Sequence, residues 1–178
     1  MSKTLLAIVL GIMMIPSITH AQTNLEDLKS KKEEVKAKIE EKVEQRCTIL
    51  ETNIDTRIAR HENNKDRHLQ AYQNTKEQVK NLVDRAKEAG YDTSQLETDL
   101  QTMDQKIRDF SAAWNTYFEL LQKTKEYACG ESEGEFRTAL KTARDQLRVV
   151  RQHAAEIRNF YQTVIRPDIQ DLKSQNPA

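Results

Sequence analysis

The chain has 178 residues, of which 31% are charged, with only four glycines and three prolines and a mean hydropathy of -0.80. Such a composition favours one domain built of long, solvated helices. Its 28 basic and 28 acidic residues cancel, so no net field is present to gather nucleic acid or an anionic membrane, and a charge-driven polymer ligand is disfavoured.

Met1, Ser2 and Lys3 precede an apolar run from Leu5 to Ile15, then Pro16 and the small, polar stretch Ser17 to Ala21. That is the tripartite pattern of a secretory signal peptide over residues 1–21, with cleavage expected after Ala21. The run is much shorter than the roughly twenty residues that cross a bilayer, so no stable membrane span is expected once it is removed. No cysteine lies near the cleavage point to carry a lipid. The mature chain is therefore expected in the periplasm or the extracellular medium. Disulfides persist there, and Cys47 and Cys129, the two cysteines of the chain, are expected to pair.

From Thr23 and Asn24, either of which can cap a helix, no glycine or proline occurs until Gly90. Apolar residues recur mostly three or four apart from Leu25 through Ile54 and Ile58 and again at Leu69, Tyr72, Val79 and Val83, the seam turning polar only around His61 and Lys65, which predicts one helix over about 24–89. Asn63 and Asn64 are weak helix formers rather than breakers, so a bend there stays open. The charged N-terminal part, 22–46, carries only Leu25, Leu28, Val35, Ile39 and Val43 on one face. It reads either as a solvated helix held by Glu-to-Lys pairs or as a docking strip for a partner.

Gly90 is expected to end this helix in the left-handed conformation, with Asp92 or Ser94 starting the next in a capping box with Gln95 or Glu97. A second helix over about 93–128 carries a heptad seam of Leu96, Leu100, Met103, Ile107, Phe110, Trp114, Tyr117 and Leu121. After Cys129 and Gly130, Ser132 and Glu135 form a second capping-box pattern. A third helix over about 133–166 then carries Phe136, Leu140, Ala143, Leu147, Val150, Ala154, Ile157, Tyr161 and Val164. Pro167 should kink or restart it, with Ile169 and Leu172 making a last contact and the tail from Ser174 fraying.

Two architectures compete: a long first helix packed on two partners, or a reversal at Asn63 and Asn64 giving four helices. With a tight turn at Gly90 and Tyr91, Cys129 falls level with about residue 53, near Cys47. In the four-helix alternative the two cysteines lie about 40 Å apart. A bridge therefore selects the all-α, elongated antiparallel three-helix bundle, spanning 47–178, with the first helix projecting beyond it.

His61 and Glu62 open a zinc-protease pattern, but Lys65 stands where the second histidine is required. His61 and His68 share a helical face and suit a metal only with a third ligand from elsewhere; Lys65 between them opposes a cation. The preferred reading is a polar layer of His61, Lys65 and His68 facing Trp114 and Tyr117, with His68 near Trp114 and Lys65 near Tyr117 in cation–π contact. The aromatics of the second helix read first as core and second as a ligand pocket. Phe118 and Phe160 lie one step off the heptad seam and are candidates for exposure. No nucleophile elbow, phosphate loop or cysteine cluster is present, so no catalytic or cofactor-binding residue is assigned and no enzyme is expected.

The leader, the two cysteines and the heptad helices, together with the segments Tyr127 to Gly130 and Ile165 to Asp168, resemble the small exported helical proteins of bacteria. The resemblance carries no activity. The leading expectation is a non-enzymatic extracytoplasmic scaffold or interaction protein whose partner is another protein or a second copy of itself. Alternatives are a chaperone-like binder of unfolded clients, weakened by the lack of net basic charge, and a metal-binding helical protein using His61 and His68.

Overall fold

The structure, a computed structural model, describes residues 19–129 and 133–175. The expected leader lies almost wholly outside them, as do Gly130 and Ser132 of the second inter-helix turn. The described residues form α1 (Thr19–Glu88), α2 (Ser94–Glu126), α3 (Glu133–Phe160), a π-helical turn (Tyr161–Ile165) and α4 (Arg166–Ser174), with no strand among them. Two compact units divide between Val43 and Glu44. The second is an antiparallel three-helix bundle.

α1 runs without interruption through Asn63 and Asn64, both exposed, which eliminates the four-helix alternative. Exposed asparagines cost a helix only fractions of a kcal/mol, about 0.5 each, and the flanking packing of Ile54, Ile58, Val79 and Val83 outweighs that. Its end is a Schellman motif: Gly90 sits at φ 84°, Tyr91 N–H donates to the Ala86 carbonyl at 3.0 Å and Gly90 N–H to that of Lys87 at 3.1 Å. The next helix starts differently from expectation. Thr93 is the N-cap residue, while Asp92 Oδ1 accepts from the Ser94 N–H and hydroxyl in an Asx turn. Glu97 accepts from the Thr93 hydroxyl at 2.9 Å and from Lys87 at 2.7 Å, pinning the turn to both helices.

Antiparallel pairing of α1 with α2 is fixed by cross-links that run in opposite sequence order. Lys76 meets Asp104 at 2.8 Å, and Lys125 meets Asp55 at 2.7 Å. The main core joins Ile54 and Ile58 of α1 with Met103, Ile107, Phe110, Trp114, Tyr117 and Leu121 of α2 and Ala143, Val150 and Ile157 of α3. A second cluster, Val79, Val83, Leu96, Ile165 and Leu172, closes the end at the α1–α2 turn. Thr124 is fully buried on the α2 seam, where its hydroxyl donates to the Leu120 carbonyl at 2.7 Å and is thereby satisfied.

Pro167 acts upstream of itself. It cannot donate a backbone hydrogen bond, and the helix widens just before it, with Arg166 N–H reaching back five residues to the Tyr161 carbonyl. The widening inserts one residue into the seam, so Ile165 rather than the expected Val164 is the fully buried side chain. Of the tail expected to fray, residues 176–178 lie outside the described residues, and Gln175 is tied down. Gln175 accepts from Asp92 N–H at 3.1 Å and donates to the Asp92 carbonyl at 3.4 Å, fastening the end of α4 to the α1–α2 turn.

Candidate functional site

Four features carry polar or unpartnered chemistry. The first lies in the N-terminal unit: Leu25, Leu28, Val35, Ile39 and Val43, the expected strip, are all between 52% and 64% exposed. Isolated aliphatic residues on a surface are ordinary, but five at helical spacing on one face form a stripe of the width of a coiled-coil seam. Ion pairs between Asp27 and Lys31 and between Glu34 and Lys38 brace the helix along it.

The second feature is the polar layer, and its register differs from the expected one. His61, not Lys65, meets Tyr117, stacked at 5.3 Å between ring centroids, and it meets Trp114 edge-on at 5.7 Å. His68 packs against Tyr72 and Phe110 rather than Trp114. Lys65 donates to Asn115 Oδ1 at 2.6 Å and lies 5.8 Å above the Phe118 ring. A neutral imidazole enters an aromatic layer cheaply, whereas an ammonium keeps its head at the hydrated edge. Burial, reinforced by Arg57, Arg60 and Arg151, lowers the His61 pKa from its ordinary 6.5. His61 Nδ1 and Trp114 Nε1 are buried without a hydrogen-bond partner. The cleft beside them measures about 210 Å³, lined by His61, His68, Phe110, Trp114, Leu147 and Arg151 among others. That is below the roughly 300–1,000 Å³ of small-molecule sites, so the layer reads as core. Among the described residues no group of three or more histidine, cysteine or acidic side chains is placed to hold a metal ion. Phe118, expected as a candidate for exposure, is buried against Trp114, with ring planes 19° apart, and Phe160 is half-buried beneath Lys106.

The third feature is the thiol pair. Cys47 and Cys129 stand within hydrogen-bonding reach of one another but not at disulfide distance: both are free and the expected S–S bond is not formed. The two sulfurs are instead directed to other acceptors: Cys47 Sγ donates to the Ala128 carbonyl at 3.6 Å and Cys129 Sγ to Glu51 Oε1 at 3.4 Å. Hydrogen bonding with Cys47, desolvation and the Glu51 carboxylate push the Cys129 thiol up to about 12.

The fourth feature had no signal in the sequence. Asp99, 5% exposed on α2, hydrogen-bonds Asp168 of α4, and this contact, with desolvation and the charge of Asp171, raises Asp168 from 3.8 to about 6. Asp99 also accepts from Gln95 at 3.2 Å. Asp99 sits on α2 among several other acids and Asp168 on α4 beside the exposed Asp171, and only the packing of α4 on α2 singles the pair out.

No protein-family model, curated protein or solved structure matches this chain. Among the described residues no helix is long and apolar enough to cross a membrane.

Proposed function

We propose that this protein is a non-enzymatic, exported helical scaffold that docks another protein on the apolar strip of α1. The observation that carries the reading is the exposure of Leu25, Leu28, Val35, Ile39 and Val43, each more than half open to solvent on one helical face. Aliphatic surface of that regularity gains free energy only when something covers it, at about 25 cal/mol per Å². The leader-like sequence of residues 1–21 supports export.

In an oxidising compartment Cys47 and Cys129 become a disulfide by exchange with a donor disulfide: one S–S bond forms, the donor is reduced to two thiols, and the protons are redistributed among them. The bond closes a loop of about eighty residues and in chain-entropy terms stabilises the fold by about 4 kcal/mol, less any strain. Its role is to hold the base of the bundle.

A photo-crosslinking amino acid at Val35, in the source cell, should give a discrete protein adduct that the same probe at Ser30, off the strip, does not. Identical adduct patterns from both positions, or none from Val35, would remove the docking reading.

A further inference from the structure

The charges bordering the strip are sorted. At about 100° per residue, the five apolar side chains fall within an arc of about 80°. Lys29 and Lys36 border that arc on one side, Lys31, Lys38 and Lys42 on the other, and Lys32 lies within it. Carboxylates lie beyond these lysines, over the rest of the circumference: Glu26, Glu33, Glu34 and Glu41, with Glu40 next to Lys36 and Asp27 next to Lys38. With Leu25 and Ile39 at heptad positions a, and Leu28 and Val35 at d, the e and g positions from 29 to 38, which select coiled-coil partners, are lysine, and at the C-terminal end of the strip Lys42 takes a d position and Val43 an e position.

That arrangement argues against a second copy of the chain as the occupant. In a parallel pair Lys31 of one helix faces Lys36 of the other, and Lys32 meets its own counterpart across the seam. In an antiparallel pair Lys31 faces Lys38, and Lys29 faces Lys36. Like charges meet in both orientations, a standard means of excluding a partner. A bilayer is also a poor occupant, since interfacial helices present a wide face with tryptophan, phenylalanine or leucine, whereas this arc is narrow, without an aromatic residue, and interrupted by Lys32. The intrahelical pairs Lys31–Asp27 and Lys38–Glu34 are exposed by about two-thirds, so their lysines exchange partners at little cost.

We infer that residues 25–43 bind an amphipathic helix of another protein whose apolar seam is bordered by carboxylates. The inference rests on the docking reading above and adds the chemistry of the partner. Salt bridges across both borders give such a helix its orientation and its preference over basic competitors.

The test titrates the full-length chain into two labelled synthetic helical peptides that share a leucine and isoleucine seam, one with glutamate and one with lysine at every border position, followed by fluorescence anisotropy. The glutamate-bordered peptide should bind about tenfold tighter, the sum of several surface-strength ion pairs, and the margin should shrink with salt. The variant Lys29→Glu/Lys31→Glu/Lys36→Glu/Lys38→Glu should invert the preference, and Leu28→Asp/Val35→Asp should abolish binding of both peptides. All these positions are exposed, and circular dichroism verifies that each variant keeps its helicity. Equal binding of the two peptides, with loss in Leu28→Asp/Val35→Asp, would overturn the acidic partner and leave the docking reading standing. Strip-dependent self-association seen by light scattering, or strip-dependent binding to phosphatidylglycerol vesicles without peptide preference, would also overturn it in favour of those occupants. Failure of both peptides to bind would overturn it as well, while the Val35 adduct reads the docking proposal independently.

Discussion

The imidazole of His61 lies on the ring of Tyr117, with centroids 5.3 Å apart and planes 27° from parallel, and its Nδ1 is buried without a hydrogen-bond partner. A polar ring has been placed where an apolar one would pack without that loss. Charging it there is worse still, because burial and three neighbouring arginines oppose a proton.

It follows that His61 sensitises the fold to acid. Its folded pKa lies below the unfolded 6.5, so the unfolded chain binds the proton more tightly; the contribution to stability is complete above about 6.5 and is lost as pH falls through the lowered value. His61→Phe should flatten urea-denaturation stability between about pH 7 and pH 5 and leave stability at neutral pH equal or higher by up to about 1 kcal/mol. An unchanged pH slope in the variant would contradict this.

Asp168 works in the opposite sense. With its pKa raised to about 6 by the contact with Asp99, the folded chain holds the proton that the unfolded chain releases near 3.8. Its stabilisation is therefore complete below about 3.8 and is lost as pH rises through about 6, above which two carboxylates face one another. Asp168→Asn should be more stable than the parent at pH 7, with the gap closing towards pH 4. Because His61 and Asp168 act in opposite senses, their contributions offset one another in the parent's own profile, and the single variants separate them.

Oxidised glutathione should convert Cys47 and Cys129 to a disulfide, read by mass as the loss of two hydrogens. Thermal melting should rise on oxidation, and Cys47→Ser should remove that rise; a melting point indifferent to oxidation would show that the loop closure contributes nothing. Before oxidation, the thiol of Cys129 is held protonated although it is exposed. Its alkylation at neutral pH should therefore be slow and should accelerate in Cys47→Ala.

Leu121, 1% exposed in the main core, and Leu28, 64% exposed on the strip, are the same residue in different settings. Leu121→Ala should cost about 3 kcal/mol through the cavity it leaves, and Leu28→Ala less than about 0.5 kcal/mol. A comparable loss at Leu28 would mean that the strip supports the fold rather than waiting for a partner.

Periodicity made the helices legible from residue types alone, because burying a face at every third or fourth position is a local rule that α1, α2 and α3 each obey. Gly90 and Pro167 marked their ends for equally local reasons, a positive φ and a missing donor. The exposed strip was legible for the same reason, as its apolar residues have too few neighbours to form a core of their own. What only tertiary structure decided were relations between helices. It chose His61 over Lys65 for the aromatic layer, replaced Val164 with Ile165 at the seam and set Asp99 against Asp168. Each depends on a rotation of one helix against another or a widening within it that shifts side chains by a residue, and heptad patterns leave that degree of freedom to packing and hydration.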